Sequence, residues 1–118
     1  MAKYILFLHD NPGTFSNVSP QEMQAIVGRY KGWRQKMSEE GRMLGSNKLM
    51  DEGGKHLRRV GDRLEVQDGP YAEAREVLGG YFMLEAKDYD EAVSLAGGCP
   101  HLDFGWIEVR EVHELPGA

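Results

Sequence analysis

Apolar residues in this chain follow two rhythms, and the switches between them predict its elements. From Lys3 to His9 the residues Tyr4, Ile5, Leu6, Phe7 and Leu8 follow one another without a polar interruption. Such a run of aromatic, β-branched and aliphatic side chains reads as a strand, and its continuity predicts burial on both faces. Asn11-Pro12-Gly13 ends it. Ser19-Pro20-Gln21-Glu22 then signals a helix start: Ser19 can cap, Pro20 suits the first helical position, and Glu22 sits three residues after the cap. The helix is predicted to run to about Glu40 and to stop at Gly41. Met23, Ile26, Val27, Tyr30, Trp33 and Met37 recur at three- and four-residue steps, which gives it one apolar face to pack on a sheet. Gly28 and Gly32 interrupt this helix at about 1 kcal/mol each relative to alanine. Close approach of helix to sheet is the expected reason, with a ligand lying beside Tyr30 and Trp33 as the alternative.

Met43 to Met50 reads as a second strand and Asp51 to Gly54 as a turn. His56 to Val60 and Leu64 to Gln67 flank Gly61-Asp62-Arg63 as a hairpin. Gly80 to Ala86 is the next strand. Asp88 can cap a second helix, Tyr89 to Ala96, which ends at Gly97-Gly98. Gly105 to Val112 is the last strand, and the tail from Glu114 to Ala118 is expected to fray. The order predicts one α+β domain over residues 1–118, a ferredoxin-like βαββαβ arrangement with an inserted β-hairpin. Its single antiparallel sheet carries both helices on one face. The other face then lacks a cover, and apolar area there would mark an interface.

Composition narrows the partners. The formal charge of −5 among 118 residues argues against nucleic acid, which needs a face that neutralises several phosphates. The densest basic stretch, Lys55-His56-Leu57-Arg58-Arg59, fits a solvated hairpin strand. No apolar run approaches membrane-spanning length, and Tyr4 to Leu8 is too short for the core of a signal peptide, so no membrane association is expected. Cys99 is the only cysteine, which fits a reducing, cytoplasmic setting. His9, His56, His101 and His113 show no short metal-ligand spacing, so no metal is expected. Gly53-Gly54 and Gly79-Gly80 lack the spacing of phosphate-binding loops, and no cofactor is expected.

The chemistry-bearing stretch is Asp68-Gly69-Pro70-Tyr71-Ala72-Glu73-Ala74-Arg75-Glu76-Val77-Leu78-Gly79-Gly80. Gly69 and Pro70 stiffen a bend that carries the Asp68 carboxylate and the Tyr71 ring just ahead of a strand. Asp68 is a candidate base or polar anchor; the competing reading is a carboxylate that accepts backbone N–H bonds in its own turn. Tyr30, Trp33 and Tyr71 are candidate ligand contacts. His9, at the end of the first strand, is a second candidate catalytic group. It cannot pair with Asp10, because neighbours on a strand point to opposite faces. His101, after Pro100, reads as a loop residue, and Cys99 as a small buried thiol.

This stretch, with Gly79-Gly80-Tyr81-Phe82-Met83-Leu84-Glu85-Ala86, Asp88-Tyr89-Asp90-Glu91-Ala92, Cys99-Pro100 and Ile107-Glu108-Val109-Arg110-Glu111-Val112, resembles the DGPF family, a branch of the YCII-related proteins. The resemblance implies a homodimer of the dimeric α/β barrel type, paired sheet to sheet, with a small-molecule cleft on each protomer. It also implies an alternative, a non-catalytic accessory protein associated with a sigma factor. In YCII-like relatives an Asp is proposed to partner a His of the first helix. Here Tyr30 occupies that helix position, so a His-based dyad does not carry over.

Overall fold

The computed structural model describes residues 1–11, 13–69 and 76–116. The elements are β1 (Ala2–Asp10), α1 (Pro20–Glu39), β2 (Met43–Lys48), β3 (Lys55–Val60), β4 (Arg63–Asp68), β5 (Val77–Ala86), α2 (Tyr89–Ala96), a 3-10 turn (Pro100–Asp103) and β6 (Gly105–Glu111). β2, β5, β1 and β6 lie side by side in that order in one antiparallel sheet, an α+β topology consistent with a ferredoxin-like fold. β3 and β4 form a separate antiparallel pair, in register from Lys55 opposite Asp68 to Val60 opposite Arg63.

Local chemistry accounts for the helix ends. Ser19 Oγ accepts from the Glu22 amide at 3.1 Å, and Asp88 Oδ1 accepts from the Glu91 amide at 2.9 Å. α1 stops at Gly41, whose φ of +75° suits glycine. The core lies between the sheet and the two helices. Leu6, Leu8, Phe82 and Leu84 meet Trp33 and Met37 of α1 and Ala96 of α2, with the Trp33 ring edge-on to Phe82 at 4.9 Å. Tyr4, Ala86 and Ala92 form a second buried group.

Three expectations need correction. β1 is buried on one face only: Tyr4, Leu6 and Leu8 are buried and the intervening Ile5 and Phe7 are half-buried. An alternating strand has two faces, and the helices supply one cover. Second, α1 does not press on the sheet at its glycines, because a Cβ on Gly28 or Gly32 would meet nothing within 4 Å. Only Trp33 and Met37 of α1 are fully buried, so the N-terminal half of its apolar face is left for an open cleft. Third, β5 begins at Val77, three residues before Gly80, and passes through an irregularity. Leu8 pairs with Gly80 while His9 pairs with Leu78, so Gly79 is the extra residue.

Candidate functional site

The cleft opens between α1 and the sheet, with a volume of about 610 Å³. Its helix wall is Met23, Ile26, Val27, Tyr30, Lys31 and Arg34. Its floor includes Leu8, Asp10, Ser46, Lys48, Gly79, Gly80, Phe82 and His101. Alternation along the strands explains the floor. Asp10 shares the helix-facing side of β1 with Leu8, while Ser46 and Lys48 of β2 stand opposite Phe82 and Gly80 of β5.

The two glycines that open the apolar run of β5 now have a physical reason. A Cβ on Gly79 would sit 3.2 Å from Asp10 Oδ2, and a Cβ on Gly80 would sit 2.7 Å from the Asn47 carbonyl oxygen. Glycine at 79 leaves room for the Asp10 carboxylate, and glycine at 80 lets β2 close on β5. Gly105 does the same for the imidazole of His101. A Cβ there would lie 2.0 Å from the His9 carbonyl oxygen and 3.0 Å from His101 Nε2.

His101 is buried, at 3% exposure, yet both its nitrogens are engaged. Nε2 lies 2.9 Å from the His9 carbonyl oxygen, and Nδ1 lies 2.7 Å from Tyr30 Oη. A carbonyl can only accept, so Nε2 carries a proton and donates it to His9. In the neutral ring Nδ1 is then the acceptor, and the Tyr30 hydroxyl donates to it. That leaves the lone pairs of Tyr30 Oη for a visitor in the cleft. Burial pushes the Tyr30 phenol above its ordinary range, and the neighbouring Cys99 and Asp10 add to the shift. Burial also raises the Asp10 carboxyl, partly opposed by the neighbouring His101 and Lys48. The Tyr30 ring stacks near Phe104 at 6.2 Å between centroids, and Phe104 meets Phe15 of the lining at 5.4 Å.

A family model for the YCII-related domain matches residues 2–116. The chain belongs to the YCII-related family. No curated protein sequence matches it. Among solved structures, this YCII-related domain is similar to 5-chloro-2-hydroxyhydroquinone dehydrochlorinase from Burkholderia phenoliruptrix AC1100, determined in complex with 2,5-dihydroxybenzoquinone. The TM-score is 0.56 at 12% identity, over 94% of this chain and 93% of that one, a likeness of fold.

Of the candidate site residues Asp68, His9, Tyr30 and Trp33, all among the described residues, only Tyr30 lines the cleft. Trp33 is in the core and borders a second, shallower groove with Arg29, Gly32 and Ser94. His9 points its side chain to the opposite face of the sheet. It stacks on Trp106 at 4.2 Å, and its Nε2 lies 3.1 Å from Glu108 Oε1; only its backbone carbonyl serves the cleft. Asp68 ends β4, exposed, in an ion pair with Lys55, away from the cleft lining. Tyr71 lies outside the described residues. His101 and Asp10 are the residues that sequence reasoning passed over. The usable signal was the glycines at 79, 80 and 105, each adjoining a polar group that a side chain would displace. Among the described residues no cluster of three or more His, Cys, Asp or Glu could hold a metal ion, and no helix is long and apolar enough to cross a membrane.

Proposed function

We propose that this YCII-related domain binds a small molecule in the cleft beside α1 and takes a proton from it. The observation that carries the reading is the meeting of Tyr30, His101 and Asp10 in a largely apolar cleft of about 610 Å³, a size usual for small-molecule sites. An acidic O–H of the ligand donates to Tyr30 Oη. Tyr30 passes its own proton to His101 Nδ1, and the ring becomes an imidazolium while Nε2 stays bonded to the His9 carbonyl. The Asp10 carboxyl lies within electrostatic reach of the His101 ring. The structural neighbour bears the name of a dehydrochlorinase and holds a dihydroxybenzoquinone, which supports a small ring with ionisable oxygens as a fitting occupant.

The test is a fragment screen of phenols, enols and carboxylic acids followed by amide NMR. Binders should shift the amides of residues 26–34, Gly79, Gly80 and His101, and Tyr30→Phe should weaken phenols selectively. Binding that maps elsewhere, or binding indifferent to Tyr30, would refute the reading.

The same reading includes a cytoplasmic homodimer of the dimeric α/β barrel type and membership of the DGPF-type branch, on the motif beginning at Asp68. Two surfaces support the dimer. Ile5, Phe7, Tyr81, Met83 and Trp106 share the sheet face away from the helices, by register and alternation. Leu57, Leu64 and Val66 share one face of the β3–β4 pair and are 60%, 56% and 57% exposed. An isolated two-stranded pair is marginal in water, so this arm needs a packing partner. A second copy related by a two-fold axis covers both surfaces at once.

A further inference from the structure

The cleft has a direction. Its helix wall uses positions 23, 26, 27, 30, 31 and 34 of α1, steps of three and one that keep a single face through three turns. At a rise of about 1.5 Å per residue this wall is roughly 16 Å long. Met23, Ile26 and Val27 make its first part, Phe15 also lines the cleft, and these side chains are apolar. Tyr30, His101 and Asp10 stand in the middle. Lys31 and Arg34 make the far end, facing Ser46 across the opening.

The charges along this line do not cancel. Lys48 is neutralised by Asp51, with Nζ and Oδ1 2.8 Å apart. Among the described residues Arg34 Nη1 has only a long bond to Ser46 Oγ, at 3.3 Å. Neither Arg34 nor Lys31 has an ion pair among the described residues. Among the described residues Asp10 and Asp51 are the only carboxylates in the lining, although the chain as a whole carries a formal charge of −5. Two cations with no ion pair among the described residues, three residues apart on one helix face, thus flank an apolar trough. Solvated cations on an outer helix face need no such neighbours; these two border the trough that Ile26, Val27 and Phe82 line.

We infer that the cleft selects an elongated ligand with an apolar body and an anionic group, the anion lying against Lys31 and Arg34 and the body against Ile26, Val27 and Phe15. This rests on the small-molecule reading of the cleft and names the class of ligand it takes. A carboxylate or phenolate on an aromatic or aliphatic frame fits; a neutral polyol does not use the apolar end.

The test is a matched pair of probes, 2-naphthoate and methyl 2-naphthoate, titrated by NMR into the wild-type chain and the Lys31→Gln/Arg34→Gln double variant. Each exposed charge pair contributes about 0.2–1 kcal/mol, so the acid should bind about fivefold tighter than the ester at low salt. The preference should vanish in the double variant while the ester's affinity stays unchanged, and it should shrink at about 0.5 M salt. An ester that binds in the cleft as tightly as the acid would overturn the inference and leave the cleft reading intact. A preference that survives in the double variant would also overturn it. Failure of both probes to bind in the cleft would remove the inference together with the reading beneath it.

Discussion

Replacing Tyr30 by Phe removes one oxygen atom and leaves the ring against Phe104. The consequence falls on His101. Its Nε2 keeps the His9 carbonyl at 2.9 Å, but Nδ1 loses the hydroxyl that now lies 2.7 Å away. At 3% exposure the ring cannot turn to solvent, and an unsatisfied buried acceptor costs about 1–3 kcal/mol. Unfolding entropy near about 2.1 cal/mol/K per residue gives about 0.25 kcal/mol/K for a chain of 118 residues. The melting temperature of Tyr30→Phe should therefore fall by about 4–12 °C at neutral pH. The lower end applies if water enters from the cleft to meet Nδ1. Scanning calorimetry reads the loss, and 15N shifts of the His101 ring read the cause: Nε2 should remain protonated while Nδ1 moves toward the value of an unbonded acceptor. A double-mutant cycle with His101→Leu should show that Tyr30→Phe costs little once the imidazole is gone. A melting point within about 1 °C of the wild type, together with unchanged ring shifts, would refute the claim that the hydroxyl satisfies the buried histidine.

Gly28→Ala should stabilise the chain by up to about 1 kcal/mol, because an added Cβ meets nothing within 4 Å and alanine favours helix; Gly105→Ala, whose Cβ would fall 2.0 Å from the His9 carbonyl oxygen, should destabilise it in the same denaturant titration. Asp10 offers a pH test. Its carboxyl is raised by burial, so the folded chain holds that proton more firmly than the unfolded chain, and ionisation works against the fold. Relative to Asp10→Asn, the wild type should lose ground as pH climbs from about 4 through the folded-state pKa, and a melting-point difference that is flat with pH would contradict the placement of Asp10. Sedimentation should find the chain near twice 13.3 kDa, and Phe7→Glu, on the uncovered sheet face, should yield monomer or aggregate; a soluble wild-type monomer at tens of micromolar would rule out the two-fold assembly.

Legibility of the fold tracked how local its causes are. Ser19, Asp88 and Gly41 act on their own helix ends, within three residues of what they cap or stop, and such signals are complete in the sequence. The start of β5 was not local. Val77 and Leu78 are strand because Asp10 and His9 pair with them, and the step around Gly79 exists because the Asp10 carboxylate occupies the space above it. Nothing within residues 77–80 announces a carboxylate supplied from β1. The run from Tyr4 to Leu8 misled for a related reason. Its composition suits burial on two faces, but how many faces are covered depends on where α1 and α2 lie.

The site was harder to read than the fold because its groups come from separate elements and the deciding one is a loop residue. His101 is held by a bond to a carbonyl 92 residues earlier, and by a hydroxyl from α1. A histidine after Cys99-Pro100 carries no spacing that predicts either partner. Asp10 does not partner the His9 side chain, since the two face opposite sides of the sheet. The same alternation, carried one step further, aims Asp10 at the helices and at whatever polar group meets it there. Glycines gave the better clue. Gly79, Gly80 and Gly105 each sit where a Cβ would strike an oxygen, whereas Gly28 and Gly32 face open space. A glycine inside a strand marks close approach more reliably than one on an exposed helix face, because a strand has backbone within reach on both sides and an outer helix face has only solvent. The three strand glycines thus point to the Asp10 and His101 part of the cleft, and the motif beginning at Asp68 matters here for the Gly79-Gly80 pair that closes it.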